Sequence, residues 1–148
     1  MTRAKTPPAA IGTPDDTEAQ FYEALQQGDI DKLMAVWSDD DEIVCVHPGG
    51  ARLVGAGAIR AAFEGMFSHG SIQAQPEKVR RMQSLSCAVH SVLERIQVMT
   101  KDGPQSAWVI ATNVYLRTGE GWRLVAHHAS PGTPSEAHDM AEPPSVLH

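Results

Sequence analysis

His47 closes a short apolar run, Ile43–His47, directly before Pro48-Gly49-Gly50, and His128 stands near the end of the last apolar run, Gly121–Ser130. An imidazole titrates close to physiological pH, so either residue could take and return a proton on a small molecule. Asn113, in the preceding run, offers an amide that can donate a hydrogen bond to a carbonyl oxygen. Strand alternation decides which of these can meet. If His47 points inward, so do Cys45 and Ile43, and Asn113 shares a face with Ala111 and Tyr115. In the last run Trp122 and Leu124 read as core, which carries His128 and Ser130 inward and turns Arg123, Val125 and His127 outward. The candidate catalytic set is therefore His47, His128 and Asn113. Phe21, Trp37, Cys45, Phe63, Tyr115 and Ser130 are the candidate ligand-lining residues. The competing reading is that each histidine is a satisfied structural residue at a strand end.

Other chemistries lack their motifs. There is no HxH or HExxH, and a third metal ligand from Glu64 or Glu94 has no spacing support, so we expect no metal and no cofactor. Neither a GxxxxGK[ST] phosphate loop nor a GxSxG nucleophile turn is present. The run Asp39–Glu42 reads as a solvated turn without calcium-loop spacing. Cys45 and Cys87 fall in separate strands without CxxC spacing, and we read them as reduced, buried thiols.

These side chains need a frame, and the periodicity supplies one. Pro14-Asp15-Asp16-Thr17 opens a helix over Asp15–Gln27 that ends at Gly28. Asp29 caps a second helix, whose Ile30, Leu33, Met34 and Trp37 follow i, i+3, i+4, i+7. A short extended piece, Ala51–Val54, precedes a third helix over Gly57–Phe67. From there the chain turns rich in Val, Ile, Thr and aromatics. Ser71–Val79, Leu85–Thr100, Gln105–Arg117 and Gly121–Ser130 read as hairpin-linked strands, with turns at Lys101-Asp102-Gly103-Pro104 and Thr118-Gly119-Glu120-Gly121. Helices first and strands afterwards predict an α+β fold with helices packed on one face of an antiparallel sheet. Residues 1–14 read as a flexible arm, 15–131 as one domain and 132–148 as a loose tail.

The 148 residues suit one domain with a substantial core. A formal charge of −6 argues against nucleic acid or an anionic membrane as partner. No apolar run is long enough to span a bilayer, and the N-terminus lacks a secretory apolar region, so a cytoplasmic location is expected.

Three stretches carry a resemblance: ALQQGDIDKLMAVWSDDDEIVCVHPGG, VGAGAIRAAFEGMF and ATNVYLRTGEGWRLVAHHASP. Together, across Asp15–Pro131, they resemble the SnoaL-like and ketosteroid isomerase-like members of the nuclear transport factor 2-like superfamily. The resemblance implies a cone formed by a strongly curved antiparallel sheet, a pocket closed by three helices, and a homodimer through the convex sheet face. It also implies matches to the isomerase site. The general-base aspartate before the proline falls at His47, the oxyanion-binding tyrosine at Phe21 and the protonated aspartic acid at Asn113. With Phe21 lacking a hydroxyl, one oxyanion donor is missing, a loss that costs about 10²–10³ in rate. The expected function is binding of a small apolar or carbonyl-bearing molecule in a mostly apolar pocket. Two alternatives stand beside it: an isomerase or cyclase moving a proton through histidine, and a dimerisation or association module.

Overall fold

The computed structural model describes residues 12–135; most of the expected arm and tail, residues 1–11 and 136–148, lies outside the described residues. Helix α1, Pro14–Gln27, begins as its sequence dictates. The Thr13 side chain accepts from Asp16 N–H, Pro14 occupies the first turn with Asp15 and Asp16, and Gly28 takes the left-handed C-terminal position at φ 65°. Asp29 caps α2, Ile30–Ala35, through Lys32 N–H at 3.0 Å. This helix is shorter than the apolar spacing predicts, because the backbone of Trp37 leaves it to bridge Leu124 in the sheet. Trp37 is still core.

Strand β1, Val44–Val46, stops at a turn in which Gly50 N–H donates to His47 O at 2.8 Å and Gly49 adopts φ 73°. Strand β2, Arg52–Val54, and helix α3, Ala56–Phe67, follow. Strands β3 (Ala74–Gln83), β4 (Cys87–Thr100), β5 (Gly103–Thr118) and β6 (Gly121–Pro131) complete a six-stranded sheet in the order β2-β1-β6-β5-β4-β3. The fold is α+β as expected, but the sheet is mixed rather than purely antiparallel: β1 runs parallel to β6, pairing Cys45 with His127. The β4–β5 and β5–β6 hairpins turn at the predicted sites, with Thr100 opposite Gly103 and Thr118 opposite Gly121.

One face of the sheet is covered and holds the core. Ala88, His90, Val92 and Glu94 of β4 alternate inward, as do Ala111, Asn113 and Tyr115 of β5. Phe21, Tyr22, Leu25, Leu33, Ile59 and Phe63 pack onto them from the helices. Among the described residues no helix is long and apolar enough to cross a membrane.

Strand β6 departs from strict alternation. Tyr115 lies opposite Leu124 while Val114 lies opposite Ala126, so Val125 is an extra residue, a β-bulge. Trp122 and Leu124 point inward before it; beyond it the parity inverts and His127 and Ala129 are buried. This overturns the expected orientation: His128 and Ser130 are exposed, and His127 faces the core at 5% exposure.

Candidate active site

A cavity of ≈ 240 Å³ lies between the inner face of the sheet, α1 and α3. Phe21 and Leu25 of α1, Phe63 and Met66 of α3, and Ile96 and Val109 of the sheet give it apolar walls. Three groups interrupt them: His47, Glu94 and His127. A mostly apolar cavity with a few convergent polar groups is the usual form of a small-molecule site.

Of the residues expected here, His47, Phe21 and Phe63 line the cavity. His47 sits at the end of β1 because Pro48-Gly49-Gly50 ends the strand there. Its ring meets Phe63 edge-on at 4.9 Å, its Nε2 is 3.7 Å from Cys45 Sγ, and burial holds its pKa below the ordinary value. Asn113, Tyr115 and Cys45 are buried nearby without lining the cavity, and Trp37 lines a different groove. Ser130 and His128 point away from it on the outer face.

Glu94, Tyr22 and His127 were not in the expected set. Alternation from Ala88 and Val92 could have pointed to Glu94, and the i, i+4 step from Glu18 to Tyr22. A buried network ties them together. Tyr22 O–H donates to Glu94 Oε2 at 2.7 Å, and Asn113 Nδ2 donates to the Tyr22 oxygen at 3.1 Å. The same amide reaches Glu18 Oε2 at 3.4 Å, and Tyr115 O–H donates to that oxygen at 2.7 Å. His90 Nδ1 also lies 2.9 Å from it. Desolvation, reinforced by Glu94 at Tyr22 and by Glu18 at Tyr115, pushes both phenols up and keeps them protonated donors.

These bonds fix the state of His127. The Asn113 amide nitrogen is committed to acceptors on α1, so its Oδ1 faces His127 Nδ1, 2.5 Å away. An amide oxygen only accepts, so Nδ1 carries the proton and Nε2 holds the free lone pair. Burial, then the proximity of His47 and His128, pulls the His127 pKa from 6.5 to about 3, so the ring stays neutral.

Glu94 is the group poised to ionise. Burial lifts its carboxyl from 4.5 to about 7, against the opposing effect of the Tyr22 hydrogen bond and with added repulsion from Glu18. A carboxyl that is half ionised near neutral pH can act as both acid and base. His47, a neutral imidazole with a lowered pKa, is the weaker base. The Cys45 thiol, pushed up to about 12 chiefly by burial, is inert.

The SnoaL-like domain model matches residues 15–134. The chain belongs to the SnoaL-like family. No curated protein gives a significant match. Among solved structures, a candidate calcium/calmodulin-dependent protein kinase type II association domain from Thiobacillus denitrificans ATCC 25259 is 35% identical. That match covers 85% of this chain and 99% of the other, with a TM-score of 0.77. A candidate dehydratase of the nuclear transport factor 2-like family from Streptomyces avermitilis is 30% identical over 82% of this chain and 99% of its own, with a TM-score of 0.71. At 14% identity, an uncharacterised Caulobacter vibrioides protein with a cystatin-like fold shares the fold alone, covering 84% of this chain and 91% of its own with a TM-score of 0.71. This SnoaL-like domain thus has the pocket-bearing nuclear transport factor 2-like fold, the same fold as structures named for association and for dehydration.

Proposed function

We propose that the cavity binds a small, mostly apolar molecule bearing a carbonyl group and that Glu94 exchanges a proton with it. The observation that carries this reading is the buried Glu94 carboxyl, accepting from Tyr22 O–H at 2.7 Å on the wall of a largely apolar cavity, where burial raises its pKa from 4.5 to about 7. In the ionised state Glu94 takes a proton from the carbon beside the carbonyl, and the C–H electron pair moves into a carbon–carbon double bond as charge passes to oxygen. Where the ligand carries a double bond β,γ to the carbonyl, the anion is a dienolate, and returning the proton to its γ-carbon moves the double bond into conjugation and completes an isomerisation with atoms and charge conserved. His127 Nε2, lacking a proton, cannot stabilise the developing oxyanion; it suits a hydroxyl on the ligand. His47 supplies the remaining N–H donor. Asn113 positions His127 and Tyr22 instead of polarising the ligand itself. The base is thus Glu94, displacing both His47 and His128.

Small aromatic ketones and terpenoid-like carbonyl compounds, screened by thermal shift, supply a bound ligand, because a molecule that binds only the folded state raises the melting temperature. Proton exchange is then read by NMR in D₂O. Deuterium should enter the position beside the carbonyl with the wild-type protein and fail to do so with Glu94→Gln. Binding without exchange would leave a ligand-binding protein; equal exchange in both proteins would remove Glu94 as the base.

A homodimer is the second reading, favoured by the uncovered outer face of the sheet. Val89, Leu93, Trp108, Ile110 and Val114 stand there half-exposed, with Leu93 opposite Ile110 and Val89 opposite Val114. The surface expected from sequence, Arg123, Val125 and His127, does not exist as one patch, since Arg123 and His127 are buried.

A further inference from the structure

The hydrogen bonds behind the cavity wall admit two self-consistent arrangements, and one buried residue chooses between them. In the arrangement described above, Asn113 turns its oxygen to His127 Nδ1 at 2.5 Å and its nitrogen to the Tyr22 oxygen at 3.1 Å. Rotating that amide by half a turn gives the alternative. Its nitrogen would then donate to Nδ1, the ring proton would sit on Nε2, and its oxygen would accept from the Tyr22 hydroxyl. Tyr22 does not decide between the two, because a hydroxyl both donates and accepts. A protonated Glu94 does not decide either, since it can accept from Tyr22 on one oxygen or donate to it from the other. Glu18 does decide. Its Oε2 lies 3.4 Å from Asn113 Nδ2 and takes two further side chains, Tyr115 O–H at 2.7 Å and His90 Nδ1 at 2.9 Å. An oxygen on which three donors converge acts as an acceptor only. Against the rotated amide it would meet a second acceptor, and both groups are buried, where repulsion between oxygens is poorly screened.

We propose that Glu18, which does not itself line the cavity, is a positioning residue that sets the ligand specificity of the cone. By holding Asn113 in one orientation it keeps a lone pair on His127 Nε2, and so selects carbonyl compounds that also carry a hydroxyl group. The ligand class rests on the reading of the cone as a carbonyl-binding site. Nε2 is the tip of a ring that lines the cavity between Phe21 at 5.1 Å and His47 at 6.4 Å. The side-chain hydrogen bond that His127 makes among the described residues is the one at Nδ1, which leaves Nε2 to a ligand. A ligand hydroxyl answers that lone pair. A ketone without a donor there leaves it unpaired in a largely apolar cavity and binds more weakly. In the rotated arrangement the preference would reverse, because Nε2–H needs an acceptor.

The tautomer is read without any ligand, by long-range ¹H–¹⁵N NMR of the histidine rings of the full chain at about pH 6. There His127, at about 3, is neutral and Glu94, at about 7, keeps its proton. The wild-type ring should carry its proton on Nδ1. Tyr22→Phe, in which Glu18 alone holds the amide, should keep it there. Glu18→Gln offers Asn113 a donor as readily as an acceptor, so signals of the Nε2–H tautomer should appear. A ring protonated on Nε2 in the wild type or in Tyr22→Phe would overturn the proposal, and so would an unchanged Nδ1–H ring in Glu18→Gln. Tyr22→Phe and the wild type decide the matter even where Glu18→Gln fails to fold. The consequence for ligands is read by titrating 4′-hydroxyacetophenone and 4′-fluoroacetophenone, which differ at one group of similar size. The wild type should bind the hydroxy compound about fivefold or more tightly, the worth of one hydrogen bond, and Glu18→Gln should lose that preference. Equal affinities in the wild type would overturn the selection of a hydroxyl. Binding of neither compound would overturn the ligand class together with the carbonyl-binding reading, while the tautomers decide the role of Glu18 separately.

Discussion

Replacing Glu94 with Gln should change how stability depends on pH, and the change can be worked out in sign and size. In the folded state the Glu94 carboxyl titrates at about 7 against 4.5 when solvated. Between those values the unfolded chain has lost this proton while the folded chain keeps it. The unfolded state therefore binds fewer protons, and stability falls as pH rises. The contribution is complete below pH 4.5 and lost by about pH 7. Two and a half pH units at 1.36 kcal/mol each give a loss of about 3 kcal/mol. His127 acts in the opposite sense. Its pKa falls from 6.5 to about 3, so its contribution is present above 6.5 and lost as pH drops toward 3. The two effects overlap and offset one another between pH 4.5 and 6.5 in the wild type. In Glu94→Gln only the histidine effect of this pair remains. Urea unfolding of both proteins at half-unit steps from pH 4 to pH 8 measures the difference. Relative to wild type, Glu94→Gln should gain about 3 kcal/mol on going from the acid to the alkaline end, whatever constant offset the amide introduces. Parallel curves would show that Glu94 titrates like a solvated carboxyl and would sink the site as described.

Other changes separate the remaining parts. Tyr22→Phe removes the donor that holds the Glu94 carboxyl down and leaves the Asn113 amide one acceptor short. It should cost about 1–3 kcal/mol in denaturant unfolding and move the Glu94 titration further upward. His128→Ala should leave ligand binding unchanged and stability within about 0.5 kcal/mol, since the side chain is exposed on the outer face. A loss of binding in that variant would return His128 to the site. Ile110→Asp places a charge on the outer face opposite Leu93. Light scattering should show a dimer for wild type and a monomer for the variant; a wild-type monomer at micromolar concentration would remove the dimer.

Much of the frame was legible in the residues themselves. Asp29 and Gly28 announce helix ends through local hydrogen bonding and backbone freedom, and these act where the sequence places them, whereas α1 is capped by Thr13, one residue ahead of the Pro14–Thr17 stretch read as its start. The alternation of β5 correctly put Asn113 with Ala111 and Tyr115. Strand β6 defeated the same reasoning because one inserted residue, Val125, reverses every side chain after it. No glycine or proline marks that bulge, and a valine fits a regular strand as well as an irregular one. Glu94 was missed for a different reason. A carboxylate ordinarily belongs in water, and only the meeting of Tyr22 from α1 with the inward face of β4 makes its burial tolerable. That contact spans 72 residues of chain and leaves no local pattern. The parallel pairing of β1 with β6 is likewise a long-range choice, made where the strand joins the sheet.

The most direct measurement is a ¹³C NMR titration of the glutamate side-chain carboxyl carbons in the wild-type protein and in Glu94→Gln. One carboxyl should titrate at about pH 7 in the wild type, and that transition should vanish in the variant. If every glutamate carboxyl has finished titrating below about pH 5, as ordinary solvated glutamates do, the cavity holds no acid–base group of this kind and the central claim is wrong.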